Sequence, residues 1–224
     1  MKKSLIHSWN LSAKEAERLQ IQLKDRVVTY DDFKKLNTIA GVDIGYSKKP
    51  DTAVVGIAVL SFPEIESIEK KVVKGRVTFP YIPGLLAFRE GPLIEKLLNK
   101  LNCKPDIIMF DGHGMAHPRN FGIASHIGVL LNMTAIGLAK SKLIGECRIP
   151  ANNKGATSHL IDNNGTIIGK VLRSRAGCKP VFVSTGHRIG LKTSVKITIQ
   201  TCKKYRIPEP LRQAHTLCRS LDRK

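Results

Sequence analysis

Three β-type runs follow one another almost without interruption, at Asn37–Ile44, Thr52–Phe62 and about Ile65–Thr78. The breaks between them are short and polar or rich in Pro and Gly, which permits hairpins and predicts an antiparallel meander. From there the periodicity changes. Residues Leu85–Leu101 place Leu93, Ile94, Leu97, Leu98 and Leu101 at helical spacing, and Asp106–Phe110 is a short apolar run ending in Asp-Gly. A helix near Asn120–Leu131, a run at Thr134–Ala139, strands near Thr166–Val171 and Val181–Ser184, and a helix near Leu191–Lys203 complete the order. Ahead of the meander, Ser12-Ala-Lys-Glu15 has the form of a capping box, with Ala16, Leu19, Leu23 and Val27 following at helical spacing. Residues 150–165, rich in Asn and Gly, read as turns and loop.

Three strands, then helix, strand, helix, strand, predict an α/β fold whose mixed sheet brings the first strand beside the fourth. This is the ribonuclease H-like order, a mixed central sheet flanked by helices. At 224 residues and 42% hydrophobic composition, one domain spanning residues 1–224 is expected. Ligands of such sheets gather beyond the carboxyl ends of parallel neighbours. Here the first strand ends near Asp43 and the fourth at Asp111.

Lys and Arg number 37 against 18 Asp and Glu, a formal net charge of +19. That sign and size point to a polyanion, with nucleic acid ahead of a membrane surface. No run of roughly 18 apolar residues, no signal-peptide pattern and no strongly amphipathic basic helix stands in the sequence, so a soluble, cytoplasmic chain without a membrane partner is expected. The five cysteines are widely spaced and form no CxxC pair, which indicates neither a zinc site nor a disulfide framework.

Two carboxylates side by side repel by about 4 kcal/mol at roughly 4 Å and an effective dielectric near 20. They call for a cation or a shared proton between them. Asp43, in IAGVDIGY, and Asp111, in DIIMFDGHG, are each a lone acid closing an apolar strand. An oxygen-rich site of this kind suits Mg²⁺ or Mn²⁺, ions that activate water and neutralise phosphate charge. Taken singly, each reads first as an ordinary strand-end or turn aspartate, and as a pair at neighbouring strand ends they read as a site. Glu90, in a predicted helix start, is either a third acid or a helix-dipole residue. Lys140 ends an apolar run, where a cation could hold a phosphate or simply face solvent. His117 and His215 read either as structural histidines or as site residues.

Pro80 and Pro83 fix φ and remove backbone donors, so the Tyr81-Ile82 pair between them is expected to form a stiff corner outside any sheet. Such a corner is a core plug or a tool.

PYIPGLLAFRE, PDIIMFDGHGMAHPRNFGIASHIGVLL and IGLAKSKLIGE, preceded by IAGVDIGYS and followed by STGHRIGL and RIPEPLRQAH, together resemble the endonuclease V family from about residue 10 to 218. The resemblance implies a ribonuclease H-like deoxyribonuclease that recognises deoxyinosine in DNA. It implies a cut at the second phosphodiester on the 3′ side, leaving 3′-hydroxyl and 5′-phosphate ends. It places the metal, Mg²⁺ with Mn²⁺ as a substitute, on Asp43 and Asp111, with Glu90, Lys140 and His215 completing the catalytic set. His215 stands where many members carry Asp, and His113 stands in a DGHG where DGQG is commoner. His113 and His117 fall around the second aspartate, outside the ligand set. The Pro80-Tyr81-Ile82-Pro83 corner becomes a wedge entering the nucleic acid beside the lesion, and Gly112, Gly114, Gly122 and Gly137 become the base pocket. An inosine-specific ribonuclease and a non-catalytic nucleic-acid-binding module are the alternatives, and a monomer is expected.

Overall fold

The structure is a computed structural model that describes residues 7–221. Its centre is one nine-stranded sheet. In chain order the strands are β1 (Thr38–Tyr46), β2 (Thr52–Ser61), β3 (Ser67–Arg76), β4 (Ile107–Asp111), β5 (Ala135–Ala139), β6 (Glu146–Cys147), β7 (Thr157–Ile161), β8 (Ile167–Leu172) and β9 (Val181–His187). The helices are α1 (Ala13–Leu23), α2 (Leu86–Leu98), α3 (Ile123–Leu131), α4 (Leu191–Thr201) and α5 (Glu209–Leu221). The spatial order is β3-β2-β1-β4-β5-β9-β8-β7-β6.

The expected meander is present, with β1 to β2 and β2 to β3 antiparallel. β4 lies parallel to β1 and β5 parallel to β4, so the first strand does sit beside the fourth. This is the mixed sheet flanked by helices of the ribonuclease H-like order. At the amino end, Ser12 accepts from the Glu15 backbone N–H while the Glu15 carboxylate accepts from Ser12 N–H, the reciprocal capping box read from the sequence.

Two of the longer elements differ from expectation. The segment read as loop, residues 150–165, contains the strand β7, because Thr157–Ile161 pairs with β8 and buries Leu160 between Asn- and Gly-rich turns. The RIPEPLRQAH stretch, assigned no element from its pattern, runs into a 13-residue helix, α5. Its inward residues are Leu211, Ala214 and Cys218, a stripe with little apolar bulk. The strands beneath meet it with glycine. A Cβ on Gly41 would come within 2.2 Å of the Pro210 backbone, and one on Gly56 within 2.8 Å of the Ala214 carbonyl. The helix therefore lies closer to β1 and β2 than side chains would allow.

Strand alternation divides the core into two layers. Ala40, Val42, Ile108 and Phe110 pack with α2 and α3 through Leu93, Ile94, Leu97, Ile123 and Ile127. Ile39, Ile107 and Met109 pack on the other face with Ile197 of α4 and Leu211 of α5. Among the described residues, no helix is long and apolar enough to cross a membrane. The five cysteines are all free thiols, with Cys202 and Cys218 buried.

Candidate nuclease site

The register carries Asp43 and Asp111 to the same place. β1 and β4 pair Ala40 with Ile108 and Val42 with Phe110, and the next residue on each strand is the aspartate. By the same alternation both carboxylates belong to the face covered by α5. His215 of α5 bonds Asp43 there, Nδ1 to Oδ2 at 2.7 Å. Lys140, the residue after β5, donates to the Asp111 carboxylate. Glu90 arrives from α2 on the opposite face, one turn into the helix, and is buried. A narrow cavity at the sheet end touches Asp43, Glu90 and Asp111 together, walled by Val42, Ile94 and Phe110.

The electrostatics follow from that crowding. Burial, reinforced by the Asp111 charge, pushes Asp43 up to about 6, while the hydrogen bond from His215 opposes the rise. Burial pushes Glu90 up to about 8, with the Asp43 and Asp111 charges adding to it and the Tyr46 hydroxyl opposing it. Tyr46 donates to Glu90 Oε1 at 2.9 Å. The Arg89 guanidinium lies over the Tyr46 ring, 4.9 Å from its centroid. Among the described residues, no three His, Cys, Asp or Glu side chains already converge at metal-ligand spacing.

A larger cleft of about 330 Å³ opens beside the carboxylates. Asp111 and Lys140 line it together with Tyr81, Ile82 and Pro83. The corner divides as its two prolines require. Phe79 and Leu85 anchor it in a small core with Phe88 and Ala16, Ile82 leans on that core, and Tyr81 is 70% exposed. Tyr81 is thus no core plug. The corner ends at Gly84, in the left-handed region at φ +84°, whose carbonyl accepts from Gln20 Nε2 at 3.0 Å, His117 Nε2 at 2.9 Å and Arg119 Nη2 at 2.9 Å. Burial holds His117 down, at about 4. The neutral ring donates from Nε2 and accepts from the Arg119 backbone N–H at Nδ1.

The four glycines separate into two pairs. Gly112 and Gly122 line the cleft, as does His113. Gly114 and Gly137 lie beneath it, where the chain makes close backbone approaches: a Cβ on Gly114 would stand 2.0 Å from the Thr185 carbonyl oxygen, and one on Gly137 2.3 Å from the Gly114 nitrogen. His113 is pushed down to about 4 by burial, and its Nδ1 has no hydrogen-bond partner. Gln20, Tyr46, Arg119 and Arg206 join the site without having been singled out in the sequence. Of these, only Gln20 carried a visible signal, as a lone polar residue on the inward stripe of α1.

An oxygen-donor cluster, a lysine at its edge and an adjoining cleft beneath an exposed aromatic suit hydrolysis of a polyanion at a position chosen by what the cleft holds. Known proteins of similar sequence and fold identify its family. The Endonuclease V family model matches residues 21–216, a span that contains all the groups just described except Ala16 and Gln20. An endonuclease V from Trichormus variabilis is 46% identical over 212 residues, 94% of this chain and 96% of that one. The crystal structure of endonuclease V from Streptomyces avermitilis superposes with a TM-score of 0.90 at 38% identity, covering 96% of this chain and 94% of that one. A Ciona intestinalis endonuclease V, in complex with a 23mer DNA containing an inosine followed by a ribo-adenosine, superposes with a TM-score of 0.82 at 30% identity, covering 95% of this chain and 99% of that one. Likeness of this extent, over nearly the whole chain, makes the chain a member of the endonuclease V family of endonucleases.

Proposed function

We propose that this protein is a metal-dependent endonuclease acting on DNA that contains deoxyinosine. It hydrolyses the second phosphodiester 3′ to the lesion and leaves 3′-hydroxyl and 5′-phosphate ends. The observation that carries the reading is that Asp111 and Lys140 belong at once to the carboxylate group and to the cleft under Tyr81. A base held in that cleft has its own backbone beside the acids. The inosine-containing DNA in the Ciona intestinalis complex supports the choice of substrate.

The donor set fits a hard dication. Asp43 and Asp111 supply oxygen atoms only, Glu90 adds a third carboxyl, and the upward shifts of Asp43 and Glu90 record repulsion and burial that a cation relieves. Asp43 and Asp111 would hold Mg²⁺, or Mn²⁺ in its place, and the ion supplies an activated water and neutralises charge on the phosphate. Lys140 offsets phosphate charge at the edge of the acids, and His215 orients Asp43.

Recognition starts with unstacking, which costs a few kcal/mol and least at a poorly paired base. The Pro80–Pro83 corner is the wedge, with Tyr81 filling the space left by the extruded base. Hypoxanthine presents O6 and N1–H where adenine presents an amine and an acceptor, a difference read in the base pocket that Gly112 and Gly122 line. Gly114 and Gly137 set the shape of the floor beneath, while His117 fixes the corner through Gly84 and His113 faces the cleft. The test is cleavage of matched oligonucleotides carrying inosine or adenine, in DNA and in RNA, with Mg²⁺ or a chelator, followed by mapping of the ends. Cation-dependent cutting of the DNA inosine strand at its second 3′ phosphodiester is expected. Equal cutting of the adenine strand overturns the lesion reading, and preferential cutting of RNA transfers it to a ribonuclease.

A further inference from the structure

The groups beside the cleft give the substrate strand a direction. The cleft under Tyr81 is lined by Leu86 and Ala87 of α2 and Ile123 of α3 and also by Asp111 and Lys140, while Asp43, next to Asp111, is held from α5 by His215. A strand with its base in the cleft and its cut at the acids on the 3′ side crosses the sheet end. Beyond the acids lie α5 and the loop that precedes it.

That loop presents Tyr205, with 49% of its surface exposed. The Arg212 guanidinium lies over its ring, 4.9 Å from the centroid. Arg212 is itself held by the Glu209 carboxylate through hydrogen bonds of 2.9 and 2.7 Å. The ring is therefore braced from behind and still accessible. Its neighbours tie it to the site in both directions. Arg206 donates to the carbonyls of Lys140 at 2.9 Å and Pro180 at 2.8 Å, and Arg212 precedes His215 by one helical turn on α5. Lys203 and Lys204, exposed, precede the ring.

An aromatic face set among cations matches one class of ligand in particular, a nucleobase with flanking phosphates. We propose that Tyr205, backed by Arg212, is a stacking platform for a nucleobase of the cut strand on the 3′ side of the scissile bond, with Lys203 and Lys204 beside the adjoining phosphates. The inference rests on the reading of the site as an inosine-directed nuclease and adds a second aromatic contact, downstream of the cut, to the one at Tyr81.

Two inosine DNA substrates test it, one ending just past the cut and one with a long 3′ extension. For Tyr205→Ala, KM on the extended substrate is expected to rise about tenfold relative to the short one, while Tyr205→Phe keeps the wild-type ratio. In parallel, 2-aminopurine is placed at successive positions 3′ of the cut. One position is expected to show emission quenched on binding wild-type protein and restored with Tyr205→Ala. Melting temperatures of both variants within a degree or so of wild type confirm that folding is not the cause. Wild-type protein that cuts no inosine strand overturns the functional reading, and this inference with it. Wild-type cutting with a Tyr205→Ala effect that is equal on both substrates, or absent from both, overturns the platform alone and leaves Tyr205 as a surface ring or a contact for a protein partner.

Discussion

His215 Nδ1 lies 2.7 Å from Asp43 Oδ2, joining the last helix to the first strand across 172 residues of chain. The contact opposes the upward push of burial and of Asp111 on Asp43. Removing it with His215→Ala lets Asp43 rise further, so the acid limb of the pH–rate profile is expected to move to higher pH. Profiles of rate against pH at subsaturating Mg²⁺, where the proton still competes with the ion for Asp43, measure the displacement for wild type and variant. A variant whose activity falls uniformly at every pH would return His215 to a packing role.

Asp43→Asn and Asp111→Asn are each expected to abolish cleavage and leave binding of inosine DNA within a few-fold of wild type. Most affinity for the duplex comes from lysine and arginine contacts to phosphate, which neither change touches. Gel-shift titration beside a cleavage assay separates the two quantities.

Tyr81→Ala removes a ring that is mostly in solvent, so the melting temperature is expected to stay within about one degree of wild type. Loss of a base contact is worth about 1–3 kcal/mol, which is roughly 5- to 150-fold in discrimination of inosine from adenine. A core aromatic cut to alanine would instead cost about 3–5 kcal/mol of stability, and calorimetry distinguishes the outcomes.

Glu90 supplies a pH dependence of stability with a definite sign. Its carboxyl is raised from 4.5 in the unfolded chain to about 8 in the fold, so the native state binds the proton more tightly. Stability linked to this group is therefore greatest below pH 4.5 and is lost as pH rises toward 8. Glu90→Gln keeps an acceptor for Tyr46 and removes the titration. At pH 9 without divalent cation it is expected to melt about 3 °C or more above wild type, with the gap closing near pH 5. Added Mg²⁺ raises the wild-type melting temperature more at pH 9 than at pH 5. Scanning calorimetry at the two pH values checks both statements.

Gly41→Ala tests the seat of α5. The added Cβ would meet the Pro210 backbone at 2.2 Å, and backbone cannot swing aside as a side chain tip would. Overpacking of about 1–3 kcal/mol is expected, together with loss of turnover, because a displaced α5 carries His215 away from Asp43. Denaturant unfolding and single-turnover cleavage give the two readings.

The acids were legible because each is a solitary charge closing an apolar strand, and the element order put those strands side by side. The Tyr81 corner was legible because two prolines leave the backbone little choice. Helix α5 was not, since its buried face is made by Ala214 and Cys218 and completed by glycines 41 and 56, far away in the chain, a complementarity that periodicity within one segment does not register. Strand β7 was masked by the turn residues on either side of it. Tyr46 on Glu90, Arg206 on the Lys140 carbonyl and the three donors on Gly84 are tertiary contacts between residues unremarkable in their own segments.

The close seating of α5 has a consequence for the order in which a newly made chain becomes dangerous to nucleic acid. Asp43 is synthesised early and Asp111 midway, but the histidine that holds Asp43 comes only with the helix that slots over Gly41 and Gly56. A ribosome-bound chain that has emerged only as far as β9 contains all nine strands while Asp43 still lacks His215. On the proposed mechanism the site is complete only once the helix that carries His215 has been made and seated over Gly41 and Gly56.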